Sequence, residues 1–235
     1  MIDRAPILAL LILASLPAAA APPAAQRNYS VTSFDRIRVD GPYEVRLKTN
    51  VAPYARASGS QAALDGVSLK VEGRTLVVRP TSGSWGGYPG ENRGPVTIEA
   101  GTHELATAWL NGAGSLIIDK VKGLGFDLSI QGAGSVRVDA ADVDQVKLGI
   151  SGAGSARLAG RAASMTATVR GTSSLDAEGL SVKDAVIGAE GPAIVRANVT
   201  NAAKVDALGL AAVTFVGRPS CTVNARGSAS VMGCR

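Results

Sequence analysis

The chain has 235 residues, of which 24 are Lys or Arg, 19 are Asp or Glu and one is His, so its formal net charge is +5. Basic and acidic residues are interspersed without a basic run, which argues against nucleic-acid binding, while the net charge favours a mild attraction to anionic surfaces. With His103 as the single histidine, a multi-histidine metal site is excluded, and we expect neither a cofactor nor a metal.

The first twenty residues have the features of a secretory signal peptide. Arg4 precedes the apolar run Ile7–Leu16, and the small residues Ala18–Ala20 follow. The apolar run is about half of the ~20 residues that span a bilayer, so a membrane anchor is the less favoured alternative. We predict cleavage after Ala20, export to the periplasm or cell surface, and no transmembrane anchor thereafter. Residues 21–28 are then a leader, and residues 29–235 fit one all-β domain.

The segment from Tyr29 carries apolar alternation around two glycines. Ile37 and Val39 precede Gly41, and Val67, Leu69 and Val71 precede Gly73; apolar residues also follow each glycine. We interpret both glycines as corners of atypical first coils, joined by longer connections, because terminal repeats must close the open end of a core.

Thr81–Pro95 is rich in Gly, Pro, Ser and Asn, a composition typical of a loop. It contains Trp85 and Tyr88, which we predict as recognition residues because binding side chains concentrate on such loops. The alternative is that the two rings fold back over the first coils.

A pentapeptide frame then recurs with a period of twenty residues. It begins at Asn111, Gln131 and Ser151, and each copy continues Gly-Ala-Gly-Ser. Weaker copies follow at spacings of 18 to 20 residues. The predicted glycine corners are Gly112, Gly132, Gly152, Gly171, Gly191, Gly209 and Gly227. A fixed period of this length indicates a repeat architecture.

Apolar and polar residues alternate on both sides of each corner. Before Gly152, for example, come Val146, Leu148 and Ile150, and after it come Ala156 and Leu158. Each repeat therefore predicts two short strands with one buried face, and stacking the repeats builds a continuous core. The fold predicted is all-β: a single-stranded parallel β-helix with coils of about twenty residues. The frames of leucine-rich and calcium-binding nonapeptide repeats are absent.

One outward column of such a stack is rich in charge. Arg137, Arg157 and Arg196 recur at the same place after the corner, with Asp176 among them. At a spacing of ~4.8 Å between coils, this arginine ladder is a candidate site for phosphates or acidic sugars. A charged solvated face is the alternative.

Asp139, Asp142 and Asp144 cluster in one turn. Such a cluster suits calcium, or paired carboxylates of a polysaccharide-active enzyme, and the favoured interpretation is a solvated turn. We therefore predict no catalytic residue.

Cys221 and Cys234 are the only cysteines, and in an exported protein they predict a disulfide. The bridge would close a loop of about 14 residues and contribute roughly 3 kcal/mol.

Three stretches resemble a known bacterial family. Ser33–Leu47 (SFDRIRVDGPYEVRL), Gly94–Ile98 (GPVTI) and the Gly-Ala-Gly-Ser repeats are similar to the head GIN domain (DUF2807). The resemblance implies a right-handed parallel β-helix in an exported, adhesin-like protein without catalytic residues. The expected function is non-enzymatic binding of a cell-envelope glycan or protein partner. The alternatives are a structural envelope protein and, less favoured, a polysaccharide-active enzyme.

Overall fold

The computed structural model describes residues 25–81 and 94–235, and the repeats form stacked parallel coils. The predicted parallel β-helix with coils of about twenty residues is confirmed. The elements, in chain order, are β1 (Ala25–Tyr29), β2 (Arg36–Asp40), β3 (Glu44–Lys48), β4 (Tyr54–Gly59), α1 (Gln61–Asp65), β5 (Val67–Glu72), β6 (Thr75–Pro80), β7 (Thr97–Gly101), β8 (Thr107–Gly112), β9 (Ser115–Gly132), β10 (Ser135–Gly152), β11 (Ser155–Gly171), β12 (Ser174–Glu190), β13 (Ile194–Gly209), β14 (Ala212–Phe215), β15 (Ser220–Gly227) and β16 (Ser230–Met232).

Each coil has three sides, of which the two-strand interpretation included two. In β10 the buried residues are Val136 and Val138 on the first side, Ala141 and Val143 on the second, and 146, 148 and 150 on the third. Between sides the spacing of buried residues changes from two to three. That change breaks the alternation, so the short second side did not stand out in the sequence.

The core lies along the axis, where inward residues of successive coils stack in register. Val136 lies between Leu116 and Ala156, and Ile150 lies between Ile130 and Val169. All six are at most 3% exposed. Because every coil supplies apolar residues at the same places, one continuous core runs through the stack.

The corner glycines stack on one another between the third and first sides. Gly132 has φ +106°, a conformation that L side chains rarely adopt. A Cβ there would lie 2.8 Å from the carbonyl oxygen of Gly112 in the preceding coil. The same carbonyl accepts a hydrogen bond of 3.0 Å from the N–H of Ala133, which fixes the distance between neighbouring corners.

In the N-terminal part, the order of strands in the stack differs from their order in the chain. The coil of β2 and β3 lies between β6 and β7 on one flank and β8 and β9 on the other. Antiparallel strands complete the N-terminal end: β5 pairs with β6, β4 with β7 and β1 with β4. Strand β1 begins at Ala25, within the segment assigned to the leader. Helix α1, capped by Ser60, buries Ala63 and Leu64.

The prediction that Gly73 is a coil corner is wrong. Gly73 and Arg74 form the two-residue loop of the antiparallel β5–β6 hairpin, in which Glu72 pairs with Thr75. Gly73 has φ +62° and Arg74 has no positive φ, which fits a type II′ turn. Alternating strands on either side of a glycine are typical of hairpins as well as coils, so the local pattern could not distinguish them.

The C-terminal end is closed by the predicted disulfide between Cys221 and Cys234, which is confirmed. It joins the start of β15 to the residue before the C-terminal Arg235. In the described part of the chain, β15 pairs only with β13. Among the described strands β16 pairs only with β14, and Val223 of β15 and Met232 of β16 are 44% and 56% exposed at this end of the stack. No helix within residues 25–81 and 94–235 has the length and apolarity needed to cross a membrane.

Candidate functional site

Two columns of polar side chains run along the outer surface of the first side. In each coil the residues three and five places after the corner glycine both point outward, because the residue between them is buried. The first column contains Ser115, Ser135, Ser155, Ser174 and, in the fifth coil, Ile194, and the second contains Ile117, Arg137, Arg157, Asp176 and Arg196. We call this surface the serine–arginine face.

The strand register stacks the arginines of the second column in the order that the sequence predicted. The structure also shows which of these arginines form ion pairs. Arg157 donates from Nε and Nη2 to Oδ2 of Asp176 in the next coil, at 2.8 and 2.6 Å. Arg137 donates to Asp139 two residues further along the same strand, at 2.5 Å. Arg196, beside Asp176, forms no ion pair with a described residue. Within this column, Arg196 is thus the cation available to a ligand.

The face encloses a shallow groove of about 560 Å³. Four serines and Ile194 form one edge, and the column from Ile117 to Arg196 forms the other, so the groove extends over five coils. Hydroxyl groups donate and accept hydrogen bonds, and guanidinium groups bind carboxylate or phosphate. Sequence reasoning missed the serine column, although serine is the fifth residue of every complete copy of the pentapeptide frame.

The aspartates considered as an enzymatic or calcium site are held separately. Asp139 pairs with Arg137, and Asp142 accepts from Nε and Nη2 of Arg161 in the next coil, at 2.7 and 3.0 Å. The hydrogen bond from Arg161 lowers the pKa of Asp142 below its ordinary value of 3.8. Among the described residues no cluster of three or more His, Cys, Asp or Glu is placed to hold a metal ion.

The remaining candidates are the two loop aromatics and the single histidine. Trp85 and Tyr88, predicted as recognition residues, lie outside the described residues. His103 is exposed in a bend after β7, where its carbonyl accepts a hydrogen bond of 3.0 Å from the N–H of Asn50. The histidine therefore lies in the N-terminal part of the stack, before the first Gly-Ala-Gly-Ser frame begins.

Comparisons with known proteins agree on the fold. A family model described as "Putative auto-transporter adhesin, head GIN domain" matches residues 33–219. A structure of a "putative adhesin" from Bacteroides fragilis is 15% identical, with a TM-score of 0.80 over 90% of this chain and 97% of that one. A "putative lipid binding protein" from Parabacteroides distasonis is 17% identical, with a TM-score of 0.67 over 90% and 96%. A "putative adhesin" from Parabacteroides merdae is 15% identical, with a TM-score of 0.64 over 90% and 96%.

At sequence identities of 15–17%, the similarity to these structures shows that the fold is shared and nothing further. A search of curated protein sequences found no significant match. The family and the disulfide are compatible with an exported protein.

Proposed function

This chain belongs to the head GIN domain family, and we propose that it is an exported, non-enzymatic binding module whose serine–arginine face holds an acidic envelope polysaccharide. The proposed location is the periplasm or the cell surface. Both compartments favour the disulfide, and both contain anionic polymers. The adhesin-like role implied by the family is then a consequence of polymer binding.

The observation that supports this proposal is the repetition of the same polar groups along the groove. Ser115, Ser135, Ser155 and Ser174 recur once per coil, at a spacing of ~4.8 Å set by the strands. A linear polymer also repeats its functional groups at regular intervals. Successive sugar units can therefore meet equivalent hydroxyl donors along the axis.

Charge selects the acidic class of polymer. Arg196 has no described carboxylate partner, and Arg137 and Arg157 are 60% and 68% exposed although paired. An incoming carboxylate can therefore bind Arg196 directly and compete with the internal aspartates for the other two arginines. Such exposed pairs contribute only about 0–1 kcal/mol each, so exchange of partners costs little.

The aspartate turn supports a non-enzymatic role. Glycosidases need one carboxyl group with a raised pKa to serve as general acid. Arg161 lowers the pKa of Asp142 instead, and Arg137 binds Asp139. The lowered pKa of Asp142 favours its ionised form, which cannot donate a proton.

Binding of polygalacturonate to the oxidised protein, measured by biolayer interferometry with dextran as the neutral comparison, tests the proposal. We expect saturable binding to polygalacturonate that weakens with added salt, because exposed charges are screened over ~8 Å at physiological ionic strength. Replacing Arg137, Arg157 and Arg196 together with serine should weaken it at least tenfold, since roughly 0.5–1 kcal/mol is lost per exposed contact.

Arg161→Ser is the control for loss of an exposed guanidinium outside the face, because it removes a side chain 76% exposed from the second side. It should bind as the wild type does. Equal binding by the triple variant, or no binding to any acidic polymer, would contradict the proposal and favour a structural envelope protein. Vesicles containing phosphatidylglycerol form a further arm, because one structural relative is described as a "putative lipid binding protein". Binding to vesicles and not to polysaccharide would also overturn the proposal.

A further inference from the structure

Trp109 is the one aromatic residue of the regular coils, among those described, whose side chain points outward. It lies in β8 on the third side, between the buried residues Ala108 and Leu110. Trp109 is only partly exposed, yet it is not among the residues that pack on the hydrophobic core. Its indole N–H donates to no described residue and is not among the buried unpartnered groups, so it reaches solvent. Core packing therefore does not account for this ring.

A cavity lies on each side of the Trp109 ring. One, of about 440 Å³, is lined by Arg38, Glu72, Asn111 and Gln131 among others. The second, of about 220 Å³, is lined by Asp127, Ser129, Lys147 and Gly149 among others. Trp109 belongs to both linings, so the ring separates two polar hollows on one surface.

Beyond Trp109 the third side forms a trough parallel to the axis. The floor is the column Ser129, Gly149, Thr168 and Gly188, each partly buried and in register with Trp109. The walls are exposed columns: Asp127, Lys147, Thr166, Val186 and Lys204 on one edge, and Gln131, Ser151, Arg170, Glu190 and Leu208 on the other. The floor column continues to Asp206, five coil spacings from Trp109 or roughly 24 Å.

At two glycines of the floor, the backbone conformation and the surrounding space do not require glycine. Neither Gly149 nor Gly188 has a positive φ. A Cβ on Gly149 would meet no heavy atom within 4 Å, and one on Gly188 would meet only the carbonyl oxygen of Ala167 at 4.0 Å. Glycine weakens a strand interior, and it often marks a place where a ligand approaches the backbone closely. The open floor and the ring thus point independently to an occupant of this trough.

The chemistry of the trough fits a neutral oligosaccharide. An indole offers an apolar surface for the C–H face of a sugar ring and an N–H for a hydroxyl group. The walls carry both signs of charge, with Asp127 beside Lys147 and Arg170 ion-paired to Glu190, so a polymer of one charge gains little. Neither Asp127 nor Lys147 forms an ion pair with a described residue, which leaves both free for sugar hydroxyls.

We propose that the third side is a second binding surface, which takes a linear neutral glycan along the solenoid axis with one sugar stacked on Trp109. This surface is separate from the serine–arginine face and does not depend on it. The trough accommodates several sugar units, and Trp109 fixes the position of the chain along the floor.

Fluorescence offers a direct test, because the chain has only two tryptophans. In a Trp85→Phe background Trp109 is the sole tryptophan. Titration with maltohexaose, cellohexaose and chitohexaose should change its emission saturably for at least one of the three, and calorimetry on the wild type should give the same affinity. Trp109→Ala should weaken binding of that probe at least about tenfold, the loss expected for an aromatic stacking contact.

Gly149→Leu provides a second variant that does not touch the ring. The floor is open at this position, so the protein should fold normally while leucine blocks the trough and weakens binding at least tenfold. Gly125→Leu adds the same side chain at an exposed position outside the trough and should bind as the wild type does.

The triple arginine variant of the serine–arginine face should also retain neutral-glycan binding, which separates the two proposals. Binding that survives both Trp109→Ala and Gly149→Leu would overturn the inference. Failure of all three neutral probes to bind the wild type would overturn it as well.

Discussion

Replacing Gly132 with alanine should destabilise the coil stack through two costs that the structure specifies. The residue has φ +106°, and holding a residue other than glycine in such a region costs about 1–3 kcal/mol. The new Cβ would also lie 2.8 Å from the carbonyl oxygen of Gly112 and 3.2 Å from its nitrogen. Relieving such a contact by backbone shifts costs typically about 1–3 kcal/mol.

The expected loss is therefore about 2–6 kcal/mol in the free energy of unfolding. For a chain of this size 1 kcal/mol lowers Tm by roughly 2–4 °C, so Tm should fall by at least about 4 °C. Thermal and urea unfolding followed by circular dichroism, with the disulfide kept oxidised, measure both quantities.

Gly149→Ala is the matched control, since it makes the same chemical change in the neighbouring coil. Its φ is not positive and its Cβ would meet no atom within 4 Å, so stability should be retained or rise by up to about 1 kcal/mol. If Gly132→Ala unfolds at the same temperature as Gly149→Ala, the stacked-corner argument is refuted.

Three further predictions concern other parts of the molecule. In carboxyl NMR titrations Asp142 should titrate below its ordinary pKa of 3.8, and Arg161→Ala should raise that pKa. Because the folded pKa is lowered, the stabilising effect of the pair is present above the ordinary pKa and is lost as the pH falls through the folded value. An unshifted pKa of Asp142 would contradict the ion pair. Replacing Cys221 and Cys234 together with serine should cost roughly 3 kcal/mol and speed amide exchange first in β15 and β16; uniform acceleration along the chain would argue against a local role at the C-terminal end. Phe126→Ala, at a fully buried position, should lower the free energy of unfolding by about 3–5 kcal/mol in chemical denaturation. Leu124→Ala, at a side chain 82% exposed, should change it by no more than about 0.5 kcal/mol. Similar losses for the two variants would refute the inward assignment of Phe126.

The repeated coils could be predicted from the sequence because two periodicities coincide there. Alternation of apolar residues identified inward positions such as Leu148 and Ile150, and the twenty-residue period placed them on their counterparts in the next coil. Pairing partners then follow from the period alone. The neighbours of Arg157 and Asp176 were thus predictable, whereas the choice of Asp139 as partner of Arg137 depends on side-chain geometry.

The N-terminal end was not predictable in the same way. The period is absent there, so nothing in the local pattern shows that β2 pairs with both β6 and β8, or that Gly73 is a hairpin turn.

Trp109 was a different kind of omission. Its neighbours Ala108 and Leu110 are apolar, so alternation alone makes the ring point outward. The surface role of the residue required the shape of the trough, which depends on side chains from several coils.

The crossed order of the N-terminal strands has a consequence for the order in which this protein folds. Every hydrogen-bonding partner of β2 and β3 lies later in the chain, in β6, β7, β8 and β9. Both edges of the coil of β2 and β3 can therefore be paired only after residues as far along the chain as Ser115–Ile118 have folded onto it. Coils β9–β13 instead pair with their immediate neighbours, and contacts of short sequence separation form early. We expect the stack to grow from its middle, with the N-terminal coil inserted last.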